Sequence, residues 1–289
     1  MRIIVCSSND LAGAFALNSL RSVFQRHETI LVLRNTSLPQ GVEAPALREL
    51  QLLTADLPIQ HFFPLIEQRQ APVPGALLTP REIVTSCKLR LITVQRSFSG
   101  DSLLELTKFA PDLIVSARFG IIFKEPLLSL PRFGIYNIHP GELPAYGGIM
   151  APFRAMLNHE RTTACTLHRV DAGIDTGPIV GVRYLETSHR RSLLWHLCRL
   201  YPLGAHLFED IITALEEGKA VDHRQQEASR RRYYRFPNQD EIDRFVAMGC
   251  SFVDFADYVE LLASFSDAAP MPEAVQGRLA ARLGFRSTG

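Results

Sequence analysis

Residues 2–33 read RIIVCSSNDLAGAFALNSLRSVFQRHETILVL, and their pattern sets the fold. Residues 2–6 (RIIVC) are a short β-branched run. Ser7, Ser8, Asn9 and Asp10 form a polar turn that offers an N-cap, and residues 11–24 repeat apolar side chains at helical spacing. Residues 29–33 (TILVL) are a second apolar run. Strand, helix, strand in this order is a βαβ unit, whose strands run parallel and whose helices cover the sheet faces. The expected class is α/β: a doubly wound, mostly parallel sheet.

Further strands are expected at residues 89–94, 112–116, 134–138, 162–170 and 179–185, with helices at 101–109, 152–158 and 192–217. The last helix carries its apolar face on Leu193, Leu194, Leu197, Leu200, Leu207 and Ile211, with Pro202 as a kink point. Residues 34–86 hold a helical pattern at 44–55 among many prolines and read as an insertion of loops and short helices. The expected division is a main domain over residues 1–220 and a small, mainly helical C-terminal extension over 221–289. Its helices are placed at 239–248, 252–265 and 272–283, with loose last residues.

Among 289 residues, 31 are Lys or Arg and 30 are Asp or Glu, so the chain lacks the basic excess of a nucleic-acid binder. Cys6, Cys87, Cys165, Cys198 and Cys250 are odd in number and widely spaced. That pattern suits reduced, buried thiols rather than disulfides or zinc. The only early apolar run is too short for a signal peptide or membrane helix, so a cytoplasmic protein is expected.

The chemistry concentrates in two stretches, 137–148 (NIHPGELPAYGG) and 171–178 (DAGIDTGP). Asn137 and His139 are two apart on a strand and share a face. They lie at its C-terminal end, where open parallel sheets bind ligands. Asp175 sits on a Gly-flanked loop between two later strands. An amide donor, an imidazole and a carboxylate suit acyl transfer to nitrogen. The imidazole can take the amine proton, the amide N–H can hold the oxyanion, and the carboxylate can orient the imidazole. Each also has a structural reading: His139 as a turn histidine, Asn137 as a strand end tied to a loop, Asp175 as a turn former.

These stretches resemble the two signatures of the folate-dependent formyltransferase superfamily: Asn-x-His-Pro followed by Leu-Pro, an aromatic and Gly, and a second ending Ile-Asp-Thr-Gly-Pro. Glycinamide ribonucleotide transformylase, methionyl-tRNA formyltransferase and sugar N-formyltransferases share them. The likeness runs from about residue 111 to residue 186. It implies a Rossmann-like formyltransferase fold and 10-formyltetrahydrofolate as co-substrate, without a metal. It also implies Asn137, His139 and Asp175 as the catalytic trio. A pterin pocket is implied between the loop holding Phe119, Gly120, Ile121 and Ile122 and the backbone of Asp171, Ala172 and Gly173.

Departures concern the acceptor. Gly141 stands where the family often has Ser, and Gly147 where Arg or Lys is common. Ser7 to Asp10 form no Gly-rich phosphate loop, and the 34–86 segment is long. His168 reads as a structural hydrogen-bonder, and residues 230–235 (RRRYYR) as a solvated strand or linker rather than an RNA strip. The resemblance to methionyl-tRNA formyltransferase implies a basic β-rich C-terminal domain, which a helical C-terminus does not match. The expected acceptor is therefore the amine of a small molecule, an amino sugar on a nucleotide in preference to a modified amino acid. A formyltetrahydrofolate hydrolase would use the same trio, and a homodimer through the C-terminal helices would suit the sequence.

Overall fold

A computed structural model describes residues 1–69, 73–98 and 100–266. The helix expected at 272–283 and the loose end beyond it lie outside the described residues. The strands are β1 (Arg2–Ser8), β2 (Glu28–Arg34), β3 (Arg90–Val94), β4 (Leu113–Ala117), β5 (Ile135–His139), β6 (Gly147–Gly148), β7 (Thr162–Arg169), β8 (Ile179–Glu186) and β9 (Tyr233–Tyr234). Seven of them build one sheet in the order β3-β2-β1-β4-β5-β7-β8. The pairs from β3 to β5 are parallel, while β5–β7 and β7–β8 are antiparallel. The chain winds outward through β2 and β3, then returns to place β4 on the other side of β1. That reversal opens a crevice outside the carboxyl ends of β1 and β4.

The central strands are near-continuous apolar runs because helices cover both faces. On one face Ile3, Val5, Leu31, Val115 and Ile138 pack against the helices Leu11–Ser19 and Leu193–Glu216. On the other, Ile4, Val32 and Ile114 pack with Leu106, Phe119, Phe123 and Leu127. A third cluster joins Phe153 and Met156, on the helix Ala151–Leu157, to Ile242, Phe245 and Phe252 of the C-terminal region. There the helices Gln239–Ala247 and Phe255–Ala263 each start at a capped residue, Asn238 and Asp254.

Two elements differ from the sequence pattern. The helix expected over 11–24 breaks at Leu20 into Leu11–Ser19 and Arg21–Arg26. Asn18 Nδ2 donates to the Ala14 carbonyl at 2.8 Å and Ser19 Oγ to that of Phe15 at 2.9 Å. Such back-bonding by side chains bends the last turn, and the Leu20 amide reaches only three residues back, to the Leu17 carbonyl at 3.1 Å. Residues 45–67, by contrast, stay helical through Pro58 and Pro64. They do so by widening into π turns at Leu52–Asp56 and Pro58–Phe62, where the Leu57 and Phe63 amides reach back five residues. Widening accommodates rings that cannot donate and that would clash in an ordinary turn. Among the described residues no helix is long and apolar enough to cross a membrane.

Candidate active site

Outside the carboxyl ends of β4 and β5 lies a cavity of about 580 Å³. Asn137, His139 and Asp175 all line it. Antiparallel pairing of β5 with β7 sets His168 directly opposite Asn137, and Thr166 opposite His139. Directly opposed residues project to one face, so His168 joins the trio there.

Asn137 is held at both ends of its amide. Ser116 Oγ donates to Oδ1 at 2.8 Å, and Nδ2 lies 3.1 Å from His168 Nε2. His168 Nδ1 lies 3.0 Å from the Arg169 carbonyl, which can only accept, so Nδ1 carries the proton and Nε2 accepts from Asn137. One Asn137 N–H is committed in this way, and the second is available to a ligand.

His139 is treated alike by its loop. Its Nε2 lies 2.7 Å from the Tyr146 carbonyl, which fixes the proton on Nε2 and turns Nδ1 toward Asp175 Oδ2, 3.6 Å away. The other Asp175 oxygen is 3.6 Å from His168 Nε2. Gly148 N–H donates to Asp175 Oδ2 at 2.8 Å. Asp175 is only 13% exposed, and burial alone would raise its pKa. The positive charges of His139 and His168, whenever the rings are protonated, and the Gly148 N–H outweigh burial and hold it well below the usual carboxylate range.

The loops carrying these groups are anchored from two sides. Thr166 Oγ1 donates to the Gly141 carbonyl and accepts from Leu143 N–H. The two-residue strand β9 pairs in parallel with β6, matching Gly147 to Tyr233 and Gly148 to Tyr234. Gln226 Nε2 donates to the carbonyls of Asp175 and Gly177, at 2.9 and 2.7 Å. Residues 226–234 therefore clasp both the 137–148 loop and the Asp175 loop. Asp175 itself has φ +53°, a left-handed backbone rarely adopted by a residue with a side chain.

Phe119, Gly120, Ile121 and Ile122 line the cavity, as do Asp171 and Gly173, whereas Ala172 does not. Ile122, Ile174 and Tyr233 are large apolar side chains left exposed here, at 53%, 44% and 49%. The long 34–86 segment supplies a further wall through Thr36, Leu38, Leu47, Leu50, Gln51 and Thr54. Tyr233 had no signal in the sequence beyond the basic–aromatic run of residues 230–235, and Gln226 had none. Among the described residues no three His, Cys, Asp or Glu side chains group as metal ligands.

Residues 65–193 match the model of the formyl transferase family. The methionyl-tRNA formyltransferase of Parafrankia sp. (strain EAN1pec) is 28% identical over 71% of this chain and 57% of its own. That of Thermotoga neapolitana is 30% identical over 64% and 56% respectively, so the chain spans a little over half the length of these curated relatives. Among solved structures, glycinamide ribonucleotide transformylase 1 from Symbiobacterium toebii aligns with a TM-score of 0.52 at 17% identity, covering 78% of this chain and 94% of its own. A sugar N-formyltransferase from Shewanella sp FDAARGOS_354 gives 0.51 at 16% identity, with 94% of each chain covered. These two likenesses show a shared fold. The chain thus carries, over residues 65–193, a region that matches the formyl transferase family, and it shares its fold with these solved transformylase and sugar N-formyltransferase structures.

Proposed function

We propose that the chain transfers a formyl group from 10-formyltetrahydrofolate to the amine of a small molecule, an amino sugar or a modified amino acid. The observation that carries this reading is the convergence of Asn137, His139 and Asp175 on one cavity. The cavity suits a folate head group: Phe119, Ile121, Ile122 and Ile174 give apolar walls, and the main chain at Asp171 and Gly173 lies beside them. When bound, that group supplies the activated formyl carbon.

The chain's own residues divide the remaining work. The available Asn137 N–H holds the formyl oxygen as negative charge develops on it. His139 accepts the proton of the attacking amine at Nδ1, since Nε2 is occupied by the Tyr146 carbonyl. The Asp175 carboxylate, kept ionised by its surroundings, stabilises the imidazolium that results. His168 positions Asn137 and takes no proton from the substrate. The new bond joins the amine nitrogen to the formyl carbon, the old bond to the folate nitrogen breaks, and the amine proton held on His139 passes to that folate nitrogen.

The test is incubation with 10-formyltetrahydrofolate and a panel of amino sugars, amino acids and aminoacylated tRNA, read by mass for a gain of one formyl. A gain on a small amine, lost in His139→Ala, is expected. Gain on tRNA alone would favour the activity named for the curated relatives, and steady formate release without any amine would favour a hydrolase.

A further inference from the structure

Another part of the cavity lining is built differently from the loop that holds Phe119 and Ile122. Two helices face it, each with a stripe at helical spacing: Leu47, Leu50 and Thr54 on one, Leu194, Leu197 and Tyr201 on the other. The lining also includes Arg118, directly after β4, with φ +56°. Its Nε donates to both oxygens of the fully buried Asp10, at 2.9 and 2.8 Å. Asp10 is fixed in turn by Thr36 Oγ1 and by the Gly13 N–H that it caps. Tyr201 lies beside the guanidinium. The Arg118 side chain is still 23% exposed, and the residue lines the cavity. An arginine clamped through Nε presents its outer nitrogens in a fixed fork, which matches the oxygens of an acidic group.

We propose that Arg118 is a specificity-determining residue of the acceptor pocket, binding a carboxylate or phosphate at the far end of an acceptor whose middle is hydrocarbon. This rests on the transfer reading above and narrows its substrate class. The walls argue for the hydrocarbon: Thr36 and Gln51 donate within the protein, Thr54 and Tyr201 are buried, and the four leucines offer nothing to the hydroxyls of a sugar, which would lose their hydrogen bonds to water. Strand order argues for the separation. His139 ends β5, Arg118 follows the neighbouring β4, and its guanidinium reaches back to Asp10, which follows β1. Amine and acid are thus held one to two strand spacings apart, roughly 5–10 Å. An α-amino acid is too short for this span, and a terminal amino acid on a short chain fits it.

Three probes decide the matter: aminohexanoate, aminohexyl phosphate and aminohexanol, each with its amine on the far carbon. Calorimetric binding and formyl transfer are measured for each, with 5-formyltetrahydrofolate binding measured in parallel. One or both acidic probes should be preferred over the alcohol by about 10- to 100-fold, as expected for a hydrogen-bonded charged contact. The acidic probe that wins identifies carboxylate or phosphate. Arg118→Met should erase the preference, and Arg118→Lys, which keeps the charge should the first variant fail to fold, should retain only part of it. Equal use of alcohol and acid, failure of all three probes to bind, or a preference that survives Arg118→Met would overturn the assignment. Loss of folate binding in the unmodified chain would instead overturn the transfer reading.

Discussion

At the scale of single residues, the Asn137 amide is the group whose removal should be felt most selectively. One of its N–H groups is held by His168, and in the proposed reaction the other meets charge that develops only during transfer. Asn137→Ala should therefore lower kcat by about 10²–10³ with little change in KM, measured by steady-state formyl transfer. Asp175 supports a second prediction. It is a carboxyl whose folded pKa lies below its unfolded one, so its ionised form stabilises the fold at every pH above the ordinary carboxylate range. That contribution is lost as pH falls through the depressed value. In urea unfolding, the stability gap between the unmodified chain and Asp175→Asn should stay level from about pH 7 to about pH 5. It should shrink below about pH 4. A gap that closes between pH 7 and 5 would mean that Asp175 is not held ionised. The trio was readable because strand alternation fixes the shared face of Asn137 and His139. The place of His168 was not, since it depends on the antiparallel register of β5 with β7, which no local pattern encodes.

At the scale of elements, the pairing of β6 with β9 does more than its two residues suggest. Gly148 has φ +93°, and a Cβ there would run into the Tyr234 carbonyl oxygen and amide. Gly148 also donates to Asp175. Gly148→Ala should part the two strands and misplace the carboxylate, lowering kcat by about 10²-fold for a displacement near 1 Å. Far-ultraviolet circular dichroism should barely change, and faster amide exchange confined to 146–149 and 233–235 would locate the damage. A run such as RRRYYR cannot announce this role. Two residues are too few for strand alternation, and their conformation is set by a partner far away in sequence. Prolines misled in the other direction. Pro58 and Pro64 suggested loops, but the chain kept its helix by widening the turns.

At the scale of the whole molecule, the C-terminal region shares a core with the helix Ala151–Leu157. Phe245 and Phe252 stack on Phe153, with ring centres 4.7 and 5.6 Å from it, and all three are buried. Phe153 lies on the helix that follows the 137–148 loop directly. Phe245→Ala should cost about 3–5 kcal/mol in urea unfolding, by loss of burial plus the cavity left behind. A loss under 1 kcal/mol would mean that this contact contributes little to the core. The parallel sheet was plain from the opening βαβ pattern. The packing of the late helices was not, because apolar spacing shows that a face is buried and not which surface meets it. One consequence concerns the order of synthesis. All three side chains of the proposed trio have left the ribosome once Asp175 emerges, yet the strand and the glutamine that pin their loops come some fifty residues later. During translation the nascent chain thus carries Asn137, His139 and Asp175 without their alignment, which arrives late, when residues 226–234 dock.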